Sequence, residues 1–322
     1  MKICEQGGCM SKLAGIQLTQ MLNEAGLSPL AEFQDSAILP EPKSDLLFTT
    51  DFGPLVGRNC KDSGKIAALN AISDIYAMGG TALYAAVILI LGNDINKKER
   101  DILLSSIIET CKEEKVETVG GHTILGEQTI VGLAVIGKIG RHLFQKNNCQ
   151  VGDALLISKE VGTGIALRGY YNGLLGEEQY QKIIQVMTKS NRLQESFLNL
   201  PYIHSITDIT GFGLLGHLSE MLGYEQGADL FLNKIPYVSS ILDLSAFAFE
   251  NEFIQNNLDY ARERHDIRWH IDTMKKLALC DPQTNGPIMV SADKKILCDI
   301  DKYGFYHIGT VTANDRIVLH GE

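Results

Sequence analysis

Apolar and polar positions along the chain follow two different periods. The runs over 81–91 and 129–140 are almost continuously apolar, which is typical of β-strands covered on both faces. Over 64–80, apolar residues recur every three or four positions, which predicts a helix that ends at a pair of glycines. The alternation of strands and helices continues to the C-terminus. It predicts an α/β (α+β) fold.

Shorter patterns complete the outline. Further strands and helices are predicted at 12–25, 45–51, 97–114, 116–123, 154–159 and 205–222. The strand over 45–51 is expected to end on Asp51, and the strand over 116–123 to run into a glycine turn. A polar, turn-rich stretch at 141–153 separates the two halves of the chain. We therefore predict an N-terminal domain over 1–148 and a C-terminal domain over 149–322.

The composition of the chain limits the classes of protein to which it can belong. The chain has 322 residues, 45% of them hydrophobic and 21% charged, so two domains can each bury a core. A formal charge of -10 disfavours nucleic acid and anionic membranes as partners. No apolar run reaches the ~20 residues that span a bilayer, and the first residues lack the apolar core of a signal peptide. We expect no membrane association and a cytoplasmic location.

The cysteines also favour a cytoplasmic location, and one of them, Cys9, is a candidate for a reactive thiol. There are seven, an odd number, and no two of them form a CxxC pair, which argues against a disulfide scaffold or a zinc site. Cys9 lies in "EQGGCMSK", where Lys12 follows within one turn of the predicted helix. A helix N-terminus and an ammonium group both favour a thiolate. An inert thiol in a frayed terminus is the alternative, and the spacing alone leaves both open.

Two stretches resemble nucleotide-binding motifs only partly. A P-loop around Gly64-Lys65 is excluded, because Asn59 and Ile66 stand where it needs Gly and Ser/Thr. "GFGLLG" at 211–216 matches the dinucleotide pattern GxGxxG, but it follows a polar segment and has no acidic partner at the right distance. A tight loop before a helix explains these glycines better than NAD(P) binding does.

Four aspartates stand among apolar or small neighbours: Asp35, Asp51, Asp74 and Asp208. A carboxylate buried in such surroundings is costly unless it is paired or bound to a metal. Any one of them could be a cap, a turn residue or a surface charge. Together they favour a Mg²⁺–phosphate site, since magnesium is held by a few carboxylates and phosphate oxygens. The glycines at 120–121 and 211–213 would let backbone N–H groups approach the phosphates.

Six collinear motifs, from residue 5 to about residue 290, resemble those of selenophosphate synthetase (selenide, water dikinase). They are "GGCMSK", "TTDFGPLV", "DSGKIAALNAISDIYAMGG", "VGGHT", "TDITGFGLLGHLSEM" and "CDPQTNG". The resemblance implies a two-domain, aminoimidazole-ribotide-synthetase-like fold and a homodimer joined through the N-terminal domains. It also implies a phosphotransferase that converts selenide, ATP and water into selenophosphate, AMP and phosphate.

The resemblance also implies roles for residues. Cys9 matches the reactive cysteine or selenocysteine, and Lys12 the essential lysine. The four aspartates match those that hold Mg²⁺ around the ATP phosphates, with Asp51 and Asp74 beside the nucleotide. Gly121, His122 and Thr123 match the segment that contacts ATP from the neighbouring subunit.

The chain departs from the family pattern in three places. The glycine-rich loop of the family usually has a longer lead-in, often carries a Gly and a second Cys after the catalytic one, and continues "ISP", whereas this loop reads "CMSKLAG". The usual double aspartate reads "QDS", which leaves only Asp35, and the late "DPQTSGG" reads "DPQTNGP". Two rival functions therefore stay open: an enzyme of this fold with another small-molecule acceptor, and a non-catalytic paralogue that binds nucleotide or selenium. Retention of both Cys9 and Lys12 argues against the first rival, and the four aspartates argue against the second.

Overall fold

The structure is a computed structural model that describes residues 35–39, 45–242, 244, 251–269 and 273–321. The helix predicted over 12–25 lies outside these residues. Two β-sheets, each with its own helices, account for the described chain. No helix within the described ranges is long and apolar enough to cross a membrane.

The N-terminal half is built on a five-stranded sheet. Its strands, in the spatial order β1-β2-β5-β3-β4, are β1 (Ala37–Leu39), β2 (Leu46–Pro54), β3 (Thr81–Leu91), β4 (Glu117–Leu125) and β5 (Ile130–Lys138). All neighbours pair antiparallel except β3 and β4, which are parallel. Alternate residues of β2, β3 and β5 are buried, so one face of this sheet is covered and the other is open.

Two helices cover the closed face: α1 (Cys60–Ala77) and α2 (Lys97–Glu113). Asn59 caps α1 by accepting a hydrogen bond from the Asp62 amide, and a capping box of Asn96 and Glu99 starts α2. Ile72 and Ile75 of α1 belong to one buried cluster with Leu133 of the sheet and Leu103 of α2.

The C-terminal half is built on a seven-stranded sheet with the order β7-β10-β6-β11-β8-β12-β9. Its strands are β6 (Ala154–Ile157), β7 (Ile203–Asp208), β8 (Gly227–Phe231), β9 (Asp266–Trp269), β10 (Ile288–Ala292), β11 (Tyr306–Thr312) and β12 (Arg316–His320). Leu155 and Ile157 of β6 enter one buried cluster, and Ala154 and Leu156 enter another. Both faces of this sheet are therefore covered.

Among the described residues, seven α-helices accompany this sheet. They are α3 (Thr163–Tyr171), α4 (Glu177–Met187), α5 (Glu195–Leu198), α6 (Gly213–Met221), α7 (Glu252–Arg262), α8 (Thr273–Cys280) and α9 (Ile300–Tyr303). Ile165, Ile183 and Leu215, from α3, α4 and α6, join the cluster that contains Leu155. Phe197 of α5 stacks on Phe305 in the other cluster.

Helix α1 joins the two halves through its polar face. The Asn70 side-chain oxygen accepts a 2.6 Å hydrogen bond from the Asn285 amide, and the Ser73 hydroxyl accepts one of 2.8 Å from Asn191. Asn285 adopts a left-handed backbone conformation (φ 50°), which asparagine tolerates better than most residues. These contacts fix α1, and with it Asp74, against the C-terminal half.

Three predicted boundaries were wrong. Strand β2 does not end on Asp51 but continues to Pro54, because its pairing with β5 extends to Ile130. Helix α1 starts four residues earlier than Gly64, where Asn59 supplies the cap. The glycines at 120–121 do not form a turn: they lie within β4, which pairs with β3 as far as Leu125.

Candidate active site

Three aspartates from distant parts of the chain meet where the halves touch. One carboxylate oxygen from each of Asp35, Asp74 and Asp208 lies within 4.8 Å of the others. Asp35 precedes β1, Asp74 is on α1, and Asp208 ends β7. The N-terminal half thus supplies two of the carboxylates and the C-terminal half supplies the third.

Residues outside the cluster bind the carboxylates of Asp74 and Asp35. Asp35 and Asp208 each also have one oxygen atom without a hydrogen-bond partner among the described residues. The Thr49 hydroxyl donates a 2.5 Å hydrogen bond to Asp74 Oδ2. Lys146 Nζ lies 2.6 Å from Asp35 Oδ1, and the Thr207 hydroxyl donates to the same oxygen at 3.3 Å. Within the described chain, the buried Oδ2 atoms of Asp35 and Asp208 have no hydrogen-bond partner. Buried oxygen atoms in proteins normally bind a hydrogen-bond donor or a cation.

Burial and mutual repulsion perturb the acids. Burial raises the pKa of Asp35 to about 7; Lys146 opposes this effect, and the charges of Asp208 and Glu220 add to it. Burial, and then the charges of Asp208, Asp51 and Asp35, raise the pKa of Asp74 well above its ordinary value. Carboxyl groups this close cannot all ionise cheaply without a cation between them.

The outer partners of Asp35 form a buried network. Lys146 Nζ lies 3.2 Å from Glu220 Oε2, which is also 3.1 Å from His217 Nδ1, and the Tyr260 hydroxyl donates to Glu220 Oε1 at 2.9 Å. Burial alone would raise the pKa of Glu220, but the Lys146 charge, His217 and Tyr260 together lower it to about 2. Glu220 is therefore an anion at neutral pH.

A second buried lysine, Lys159, interacts with Asp208 through its charge. Lys159 follows β6 and is 1% exposed, and its Nζ donates a 3.0 Å hydrogen bond to the Lys189 carbonyl oxygen. Burial, together with the neighbouring Lys189 charge, lowers the pKa of Lys159 to about 7, while Asp208 acts in the opposite direction. Lys146 thus contacts one aspartate of the cluster directly, and the charge of Lys159 interacts with that of another, Asp208.

The remaining sequence candidates are more scattered. Asp51 lies on the same face of β2 as Thr49, and its charge acts on Asp74, but it is not one of the three clustered acids. Gly121, His122 and Thr123 lie on β4, where they are exposed to solvent. Cys9 and Lys12 fall outside the described residues.

The glycines of the segment 211–216 allow close packing around the start of α6. Gly213 begins α6 with a left-handed backbone (φ 69°), and a Cβ there would lie 2.9 Å from the Leu279 carbonyl oxygen. This is the tight loop before a helix that was the alternative to dinucleotide binding. Gly121 likewise allows β4 to approach β3, since a Cβ would lie 2.3 Å from the Val87 carbonyl oxygen.

The donor set fits a magnesium ion. All three clustered groups offer carboxylate oxygen, the ligand that Mg²⁺ prefers, and two buried oxygens lack partners within the described chain. Zinc would favour nitrogen or sulfur ligands, which this cluster does not contain. The raised pKa values of Asp35 and Asp74 also agree with a bound cation, because a divalent cation offsets the repulsion that contributes to them.

Sequence reasoning missed the residues around the aspartates. Lys146 lies in the polar stretch 141–153, where a lysine is normally a surface residue, and nothing in the local pattern marks it as buried. His217 and Glu220 lie three residues apart within "GHLSEM", a spacing that places them on one helix face. This spacing is the feature of the sequence from which the contact between His217 and Glu220 could have been predicted. Thr49 could be recognised only once β2 and α1 were docked.

Two family models match the chain. The model described as AIR synthase related protein, N-terminal domain, matches residues 33–139. The model for the C-terminal domain of the same proteins matches residues 150–322. The predicted boundary between residues 148 and 149 stays a prediction.

Curated relatives cover most of the chain. A selenide, water dikinase of Rhizobium meliloti is 34% identical over 302 residues, which are 88% of this chain and 85% of the relative. One from Colwellia psychrerythraea is 34% identical over 332 residues, covering 95% and 93%. Another, from Pseudomonas straminea, is 31% identical, covering 90% and 85%.

Solved structures share the fold at low identity. Thiamine monophosphate kinase from Aquifex aeolicus has a TM-score of 0.68 and 18% identity, covering 95% of this chain and 97% of that one. The hydrogenase maturation protein HypE from E. coli has a TM-score of 0.61 and 16% identity, covering 95% and 92%. They support the two-domain architecture and nothing finer.

The raised pKa of Asp35 predicts a specific pH dependence of stability in metal-free protein. An acid with a raised folded-state pKa stabilises the fold fully below its unfolded pKa, and this contribution is lost as pH rises through the folded pKa. The difference between 3.8 and about 7 corresponds to roughly 4 kcal/mol at most. In EDTA, Asp35→Asn should therefore gain stability relative to wild type between about pH 5.5 and about pH 8. Thermal unfolding followed by circular dichroism measures this difference.

Asp101→Asn is the matched control, because Asp101 is an exposed aspartate on α2. Its stability difference from wild type should stay constant over the same pH range. Saturating Mg²⁺ should stabilise wild type most at the high end of the range. A constant difference for Asp35→Asn would show that Asp35 ionises normally and would contradict the burial argument.

Proposed function

The chain belongs to the AIR synthase related family and, within it, to the selenide, water dikinases, and we propose that it makes selenophosphate from selenide, ATP and water. AMP and phosphate are the other products. The cytoplasmic location expected from the cysteine usage is part of the same proposal.

The observation that carries this proposal is the three-aspartate cluster at the junction of the halves. Phosphoryl transfer from ATP needs dense negative charge to be neutralised, and a chain of net charge -10 has few cations to spare for it. Asp35, Asp74 and Asp208 would hold Mg²⁺, with Asp51 as a further acid beside Asp74. Magnesium, when bound, supplies the positive charge that screens the phosphates.

The remaining proposed roles belong to residues of β4 and to Lys12 and Cys9, which lie outside the described part of the chain. Gly121, His122 and Thr123, exposed on β4, would contact ATP bound by a partner subunit. Lys12 would add a cation beside the phosphates, and the Cys9 thiolate would bind or deliver selenium. Their place in "GGCMSK" supports the last two roles, since glycines, a cation and a helix start favour a reactive thiolate.

The activity is tested by anaerobic ³¹P NMR of the protein with ATP, Mg²⁺ and selenide. Wild type should give signals of selenophosphate, AMP and phosphate. Cys9→Ser should lose the selenophosphate signal, because a hydroxyl at neutral pH is a far weaker nucleophile than a thiolate. Cys298→Ser is the control: Cys298 is an exposed free cysteine, and its loss should leave all signals in place.

Each other outcome has a meaning. ATP consumed without selenophosphate would contradict the proposed acceptor and favour an enzyme that acts on another small molecule. No ATP consumption by folded wild type would favour the non-catalytic paralogue. Selenophosphate made equally well by Cys9→Ser would leave the activity standing and remove Cys9 from it.

A homodimer formed through the open face of the N-terminal sheet is also part of the proposal. Phe52 and Tyr84 are exposed there, and Ile88, Ile90 and Ile136 are only partly covered. Strand β4 adds an exposed edge, on which Leu125 is 81% exposed. An apolar face beside an unpaired edge is a surface that soluble proteins normally cover.

Tyr84→Asp tests this surface, because a carboxylate buried against an apolar partner is strongly unfavourable. The variant should run as a monomer in light scattering after size exclusion, whereas wild type runs as a dimer. Tyr224→Asp is the matched control, since Tyr224 is 77% exposed but lies in the C-terminal half. A monomeric wild type, or a Tyr84→Asp variant that stays dimeric, would contradict the assignment.

A further inference from the structure

We propose that Lys146 is a positioning residue of the metal site, which acts through Asp35 by holding one carboxylate oxygen and leaving the other for the metal. This inference rests on the proposed function, because it takes Asp35 as a ligand of Mg²⁺. It adds a residue that the sequence motifs do not include.

The two oxygens of Asp35 have different surroundings. Oδ1 lies 2.6 Å from Lys146 Nζ and accepts a second, longer hydrogen bond of 3.3 Å from Thr207. Oδ2 is buried and has no hydrogen-bond partner within the described chain. A carboxylate fastened by one oxygen presents the other in a fixed direction, as outer-shell partners of metal ligands do.

Lys146 is itself held in place. Its side chain is 6% exposed, and Glu220, at 3.2 Å, is 3% exposed. Glu220 is fixed in turn by His217 on the same helix, α6, and by Tyr260 on α7. The position of Asp35 is therefore set by two helices of the C-terminal half, although Asp35 belongs to the N-terminal part of the chain.

Charge gives Lys146 a second effect on the same carboxylate. Asp35, Asp74, Asp208 and Glu220 would together carry four negative charges, and among the described residues Lys146 is the cation that lies between Asp35 and Glu220. Its positive charge keeps Asp35 close to the other acids before a metal arrives. Without it, repulsion would turn the Asp35 carboxylate away from Asp74 and Asp208, and this loss of position would weaken metal binding.

The test measures Mn²⁺ binding to the full-length protein in the presence of a non-hydrolysable ATP analogue, by titration followed with electron paramagnetic resonance. Lys146→Met keeps the apolar stem and removes the charge and the hydrogen bond. Its Kd for Mn²⁺ should rise about 10–100-fold, the range typical of lost outer-shell partners. Lys146→Arg, which keeps both features, should recover most of the affinity.

Two further variants separate positioning from general damage. Glu220→Gln leaves Lys146 in place but weakens its anchor, so its Kd should rise less than that of Lys146→Met. It also tests the inference if Lys146→Met fails to fold. Lys182→Met is the matched control, since Lys182 forms an exposed pair with Glu178 on α4 and should not affect Kd.

The outcomes distinguish this inference from the function beneath it. Wild-type affinity in both folded Lys146→Met and Glu220→Gln, or tighter binding in either, would overturn the role of Lys146 and leave the dikinase proposal intact. A wild type that binds no Mn²⁺ would overturn both. Weaker binding in Lys146→Met that Lys146→Arg does not recover would show that packing, rather than charge and hydrogen bonding, is responsible.

Discussion

Repulsion among buried carboxylates is the constraint on which the arrangement of this protein depends. Asp35, Asp74 and Asp208 place oxygen atoms within 4.8 Å of one another, and Asp208 and the side chain of Asp35 are almost fully shielded from water. Negative groups at such distances are stable only if they are protonated or if cations offset them. The raised pKa values of Asp35 and Asp74, the Lys146 ion pair and the hydroxyl of Thr49 are responses to this one problem. A divalent cation would solve it more completely.

The same constraint explains why the site lies between the halves of the molecule. Asp74 is carried on α1, whose polar face binds Asn285 and Asn191 of the C-terminal half. Asp208 ends β7, a strand at the edge of the larger sheet, where its carboxylate can reach past the sheet. Neither half could gather the three acids alone. A cation bound among them would therefore also strengthen the contact between the halves, since it would bind the assembled pair and not the separated parts.

The elements that the sequence predicted well are those with strong periodicity. Strand β3 coincides with the continuous apolar run at 81–91, and α2 with the helix predicted over 97–114. Three of the four aspartates predicted as metal ligands lie together in the structure. The signal that pointed to them was their apolar neighbours, since an aspartate is costly to bury unless a metal or another partner offsets its charge. What could not be predicted depends on long-range packing. The continuation of β2 past Asp51 is imposed by its pairing with β5, and the extended backbone at Gly120 and Gly121 by the pairing of β4 with β3. The burial of Lys146 depends on its contact with Glu220 of α6, which lies 74 residues away along the chain.

The central claim is that the three aspartates form a metal site for the phosphates of ATP. Anomalous diffraction at the manganese edge, from crystals grown with Mn²⁺ and a non-hydrolysable ATP analogue, tests it most directly. A manganese peak within bonding distance of Asp35, Asp74 and Asp208 and of a phosphate oxygen is the predicted result, with Lys146 still paired to Asp35. A nucleotide bound without metal at this cluster, or manganese held elsewhere, would contradict the account.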